Sequence, residues 1–75
     1  MPKPMHLTPS ERLTLLALKA VEGLNAPEIQ LETGIRSAQA MDITLRILGI
    51  SGLVILTTPG STRAERRYSL PVVIA

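Results

Sequence analysis

The first stretch of helical periodicity begins at Thr8 and ends near Glu22. A helix start is predicted from Thr8, Pro9 and Glu11. A threonine can cap, proline suits the first helical position, and a glutamate three residues after the cap can bond back to the cap's backbone N–H. Gly23 marks the end of the helix. Aliphatic residues with helical spacing define one face, which we expect to pack on the core: Leu13, Leu16, Ala17, Ala20 and Val21.

Two leucines fall outside that face. Leu15 and Leu18 lie beside a charged strip that contains Arg12, Lys19 and Glu22. Isolated apolar residues on a protein surface are ordinary. An apolar surface used for self-association would have the same pattern. Both interpretations are open.

A second capping signal predicts a short second helix. Asn25 precedes Glu28 by three residues, which predicts a helix from Ala26 to about Thr33, with Gly34 ending it. The residues just before this helix, Leu24 to Ala26, have the character of a very short strand.

The third helix is predicted from Ser37 to about Ile50, with Gly49 and Gly52 ending it. Its apolar residues cover most of the circumference: Ala38, Ala40, Met41, Ile43, Leu45, Ile47, Leu48 and Ile50. Packing against the rest of the domain accounts for about half of them. We expect Met41 and Leu45 on the outward side.

A hairpin completes the predicted domain. Leu53 to Thr58 is apolar and β-branched, 59–62 is a turn cluster, and Glu65 to Leu70 alternates between two faces as a strand does.

The predicted fold class is α+β, mainly α. The chain is predicted to consist of a flexible tail (1–7), one domain (8–71) and an apolar tail (72–75). The predicted core is Leu13, Leu16, Ala20, Ile29, Ile35, Ile43, Ile47, Leu53, Ile55 and Tyr68.

Composition narrows the function. The chain has no cysteine, a single histidine and six scattered acids, so we expect no metal, no cofactor and no catalysis. Its apolar run, Leu13 to Val21, is too short to cross a membrane, and no secretory signal is evident, so we expect a cytoplasmic protein without a membrane partner. The net charge is +2, and a basic cluster lies at Arg63, Arg66 and Arg67.

Three segments resemble a known family. Glu28 to Ile35 resembles the helix-turn-helix core of bacterial regulators, with an apolar residue, a turn glycine and a following aliphatic at matching positions, although Gln30 stands where a small residue is usual. Ile47 to Val54 resembles the end of a recognition helix entering the first wing strand, and Arg66 to Leu70 a returning wing strand. Over Thr8 to Leu70 the chain is similar to MarR-like winged helix-turn-helix regulators, without their long dimerisation helices.

The resemblance implies a transcriptional regulator that binds double-stranded DNA, with helix 37–50 in the major groove and wing 53–70 on the adjacent groove or backbone. The expected DNA-binding residues are Arg36, Ser37, Gln39, Asp42 and Arg46 on the helix and Arg63, Arg66 and Arg67 on the wing. Asp42 would repel phosphate unless it accepts from cytosine or pairs with Arg46.

Two further hypotheses concern partners. The surplus apolar residues favour a homodimer, for which we expect an interface at Leu15, Leu18, Val72 and Ile74. As an alternative to DNA binding, the same scaffold is a protein–protein interaction module that uses the apolar face of the third helix. The residues exposed on that helix distinguish the two functions.

Overall fold

The computed structural model describes residues 7–71, which form three helices and three short strands. Helix α1 spans Pro9–Ala20 and starts with the predicted capping box, in which Thr8 and Glu11 bond reciprocally. It ends slightly earlier than predicted, at a cap on Val21. The expectations for the two tails concern residues 1–6 and 72–75, which lie outside the described residues.

Helix α2 spans Ala26–Thr33 and follows directly on strand β1, Leu24–Asn25. Asn25 and Glu28 form its capping box, as predicted. The helix ends at Gly34, whose φ of 78° lies in the left-handed region that glycine adopts without steric cost. The predicted boundaries of this helix are confirmed.

Helix α3 spans Ala38–Ile50, and Ser37 caps it by accepting a hydrogen bond from the backbone N–H of Ala40. After the turn at Gly52 (φ 77°) the chain enters strand β2, Ile55–Thr58. Strand β3, Arg67–Ser69, returns beside it.

The sheet is antiparallel, with the strand order β1-β3-β2. Tyr68 lies at its centre, paired with Leu24 on one side and Leu56 on the other. The β2–β3 register shifts between Leu56 and Thr58, a local irregularity of the kind that bends a hairpin. The α+β class, mainly α, is confirmed.

The core is aliphatic and lies between the helices and the sheet. Its buried members are Leu18, Leu24, Ala26, Ile29, Met41, Leu45, Leu48 and Val54. Ile35, Leu53 and Tyr68 pack against it half-buried, in agreement with the prediction.

The predicted inner face of α1 was wrong at most positions, although Ala17 does pack against the core half-buried. Leu13 and Leu16 are 43% and 57% exposed, and Ala20 is also exposed, whereas Leu18 is completely buried and Leu15 packs against the core. Leu18 is therefore unavailable for the dimer interface predicted for it. The inner face also carries the polar residues Glu11 and Thr14, which are 2% and 0% exposed.

Each of these two polar side chains makes a hydrogen bond to the backbone at the start of its own helix. The Glu11 carboxylate accepts from the backbone N–H of Thr8, and the Thr14 hydroxyl donates to the carbonyl of Ser10. A buried hydroxyl that bonds to its own helix costs little, so the face that contains Thr14 can still be the inner one.

Helix α3 requires the same correction. Met41 and Leu45 are buried instead of lying outward, and Ile43 and Ile47 are exposed instead of lying in the core. Between the buried residues lies Thr44, whose hydroxyl donates to the carbonyl of Ala40. In the sheet, Ile55 is exposed where a core position was expected, and the neighbouring Val54 is buried instead.

Candidate nucleic-acid interface

The five expected site residues at helix α3 all reach the surface. Arg36 lies in the turn before the helix, Ser37 caps it, and Gln39, Asp42 and Arg46 are exposed along it. The Ser37 hydroxyl oxygen already accepts the helix-capping bond, at 3.1 Å from the Ala40 nitrogen. Four of the five are therefore exposed side chains without a part in building the helix.

The loop of the β2–β3 hairpin (residues 59–66, here the hairpin loop) lies against helices α2 and α3. The Arg63 Nε donates to Oδ1 of Asp42 at 2.9 Å, and an Arg63 terminal nitrogen donates to Oε1 of Gln30 at 2.7 Å. One arginine thus joins the loop to both helices. Asp42 therefore pairs with Arg63 and not with Arg46, the partner four residues away that the sequence suggested.

Gln30 connects this contact to the turn between α2 and α3. Its side-chain amide donates to the carbonyls of Ile35 and Arg36, each at 3.2 Å, while its oxygen accepts from Arg63. The polar residue at this position therefore braces the turn. Sequence reasoning noticed Gln30 as unusual but assigned it no role, because its partner lies 33 residues away.

Arg67 makes a second attachment between the hairpin and helix α2. It donates to the Gly23 carbonyl at 2.7 Å and to Oε1 of Glu28 at 3.1 Å. Nearby, the Asn25 side chain donates to the carbonyl of Ala64. Arg63 and Arg67, both expected as free wing cations, are engaged with acidic side chains of the same chain.

Three arginines of this candidate surface keep their charge unpaired. Across residues 7–71, the side chains of Arg36, Arg46 and Arg66 form no ion pair and donate no hydrogen bond. Arg36 lies before α3, Arg46 on its exposed face and Arg66 on the hairpin. The turn, the helix and the hairpin thus contribute one unpaired arginine each. Within this surface, these three cations can meet a polyanion without breaking an intramolecular contact.

The hairpin loop is shaped by Glu65. Its carboxylate accepts from the Ser61 hydroxyl and from both the hydroxyl and the backbone N–H of Thr62. These bonds, foremost that from the Thr62 hydroxyl, lower the pKa of Glu65 because they stabilise its ionised form. Gly60 packs so closely on Glu65 that a Cβ there would collide with the Glu65 Cβ.

We expect the ordered loop to persist below the pH at which an ordinary glutamate protonates. A folded-state pKa below the unfolded value means that the hydrogen bonds are fully present above the unfolded pKa and are lost as the pH falls through the folded one. A carboxyl-carbon NMR titration of the wild type should give a Glu65 midpoint below that of a Thr62→Ala variant. Equal midpoints in the two proteins would contradict this role of Thr62.

The exposed face of α3 also carries aliphatic residues that sequence reasoning had not placed there. Ile43, Ile47 and Ile50 are 48%, 41% and 80% exposed. Ile43 and Ile47 border a shallow groove of about 410 Å³ between this helix and the start of α1. The exposed face of α3 therefore carries both polar and apolar residues, and its apolar residues are not the Met41 and Leu45 that were expected there.

No protein-family model matches the chain, and no curated protein matches it. Among residues 7–71 no helix is long and apolar enough to cross a bilayer. The same residues contain no group of three or more histidines and acids placed to hold a metal ion.

Proposed function

We propose that the chain is a winged helix-turn-helix protein that binds double-stranded DNA as a small, non-enzymatic transcriptional regulator. Helix α3 enters the major groove, and the β2–β3 hairpin, its wing, lies on the adjacent groove or backbone. The proposal rests mainly on one observation. The exposed face of α3 is bordered by three unpaired arginines, Arg36, Arg46 and Arg66.

The strand order and the chain order support this proposal. A short strand precedes α2, and two strands follow α3 and pair antiparallel, with the last strand in the middle. This arrangement places the hairpin beside α3, where Arg63 holds its loop against Asp42. A helix and a loop fixed side by side can contact neighbouring parts of one duplex without ordering on binding.

The arginines divide into two roles under this proposal. Arg63 and Arg67 position the wing through Asp42 and Glu28, whereas Arg36, Arg46 and Arg66 meet phosphates or bases. Gln39, exposed in the first turn of α3, is placed to bond adenine bidentately. Asp42 is occupied by Arg63 and is assigned no base.

Selection from a pool of random duplexes tests the proposed function. We expect enrichment of a common motif, and loss of one defined position of that motif for a Gln39→Ala variant. Val21→Ala is the matched control, because Val21 is 51% exposed at the end of α1 and is not part of the proposed surface. A pool that stays random after repeated selection contradicts sequence-specific binding.

We also propose a homodimer, held by the outward face of α1. Leu13, Leu16 and Ala20 are exposed with helical spacing, and Leu16 also borders an apolar groove of about 570 Å³ between α1 and the end of the sheet. Patches of this kind are commonly buried by association. Two copies would place two α3 helices on successive half-sites.

Sedimentation analysis tests the dimer. We expect the wild type to dimerise at tens of micromolar and a Leu13→Glu, Leu16→Glu variant to be monomeric, because the two charges would be desolvated in the interface. Leu31→Glu, an equally drastic change on an exposed leucine of α2, should leave the dimer intact. A monomeric wild type, or a variant that dimerises as well as the wild type, contradicts this interface.

The second candidate function is a protein–protein interaction module on the same scaffold. The observation that favours it is the exposure of Ile43, Ile47 and Ile50 on α3. In that case nucleic-acid binding is weak and insensitive to Arg46, and the aliphatic residues carry the affinity for a protein partner.

A further inference from the structure

The outward line of helix α3 alternates between polar and apolar side chains. Gln39, Ile43, Arg46 and Ile50 follow one another at steps of four, three and four residues, which places them along one side of a helix. All four are exposed, and the opposite side holds the buried Met41, Thr44, Leu45 and Leu48. Ile43 therefore lies between Gln39 and Arg46, with one of them a turn away on each side.

The chemistry of this line matches the edges of bases in the major groove. A glutamine can bond bidentately to adenine and an arginine to guanine. An isoleucine offers no hydrogen bond. The apolar group that the four standard bases present in the major groove is the C5-methyl of thymine.

We propose that Ile43 is a specificity-determining residue that contacts a thymine methyl group, so that the preferred ligand is B-form DNA with thymine at a fixed position. The inference rests on the proposed DNA binding. Ile43 is 48% exposed in the free protein, so contact with a methyl group removes apolar surface of both partners from water. RNA lacks this methyl group, and its deep, narrow major groove excludes a helix.

Ile47 and Ile50 have different surroundings. Ile47 lies to one side of the line, although it borders the same groove as Ile43, and Ile50 is the last residue of the helix. The first turns of a recognition helix approach base edges most closely. Ile43 is therefore the aliphatic residue of α3 best placed to meet a base, and Ile50 serves as its control.

Replacing thymine by uracil in the duplex removes the methyl group alone. With a duplex chosen by selection from a random pool, each fixed thymine is replaced in turn and affinity is measured by fluorescence anisotropy. For the wild type we expect one position at which uracil weakens binding about fourfold, the effect of burying one methyl group. The Ile43→Ala variant should bind the thymine and uracil duplexes equally, and Ile50→Ala should still discriminate.

Three results would overturn the assignment while leaving DNA binding in place. They are a selected motif without a fixed thymine, a wild type indifferent to uracil at every fixed thymine, and discrimination that survives in Ile43→Ala. Absence of any duplex binding overturns the proposed function and this assignment together. Circular dichroism of the variants verifies that each helix is retained, as expected for changes at half-exposed positions.

Discussion

Truncation of Leu18 to alanine is expected to lower the free energy of unfolding by about 2–5 kcal/mol. Leu18 is completely buried among the helices, and alanine would leave a cavity there. A domain of 75 residues has a total stability of about 4–11 kcal/mol, so this single change removes a large share of it. The variant should be partly unfolded near physiological temperature.

Leu16 provides the matched control on the same helix. At a protein concentration well below that of the proposed dimer, Leu16→Ala should change the free energy of unfolding by less than about 0.5 kcal/mol, because Leu16 is 57% exposed in the monomer. Urea titration followed by circular dichroism measures both, since the chain has no tryptophan. Equal losses, or a larger loss at Leu16, would contradict the orientation of α1 and restore the face that the sequence alone predicts.

The elements were predictable because their ends are encoded locally. The boxes Thr8–Glu11 and Asn25–Glu28 and the left-handed Gly34 act within a few residues, so the sequence is sufficient to place them. The helix faces were not predictable, because α1 and α3 carry aliphatic residues on both sides. In addition, Thr14 and Thr44 are buried although they are polar, because each hydroxyl donates to a carbonyl of its own helix. Polar character therefore does not mark the outward face of these helices.

The candidate site was predictable in position but only partly in composition. Arg36, just before α3, and Gln39 and Arg46 on the helix are exposed, as expected. The hydrogen bonds from Arg63 to Asp42 and to Gln30 join positions separated by 21 and 33 residues in the sequence. No local sequence pattern encodes contacts over such separations. Ile43 was assigned to the core because an aliphatic residue on an apolar helix is usually buried.

Reversal of two unpaired arginines, Arg46→Glu with Arg66→Glu, is expected to weaken duplex binding about 50-fold or more at about 0.1 M salt. Each lost phosphate contact costs roughly a factor of eight through counterion release, and the new carboxylates also repel the backbone. Arg46 lies on the exposed face of α3 and Arg66 on the wing, and neither has an intramolecular partner among residues 7–71 to disturb. Fluorescence anisotropy with a mixed-sequence duplex measures the loss.

Arg12→Glu with Lys19→Glu makes the same change in net charge elsewhere. Both residues border the groove between α1 and the end of the sheet, outside the proposed surface. This control should lose only a few-fold in affinity, from the long-range field that salt screens. Similar losses in the two double variants would mean that overall charge, and not this surface, attracts DNA.

The most direct test of the proposed DNA binding is the salt dependence of wild-type affinity for a mixed-sequence duplex, from about 50 to 200 mM salt. Three unpaired arginines, Arg36, Arg46 and Arg66, predict that the logarithm of the association constant falls linearly with the logarithm of salt concentration. The expected slope is about −3 for each subunit engaged. Absence of binding at the lowest salt, or a slope near zero, would contradict DNA binding through this surface.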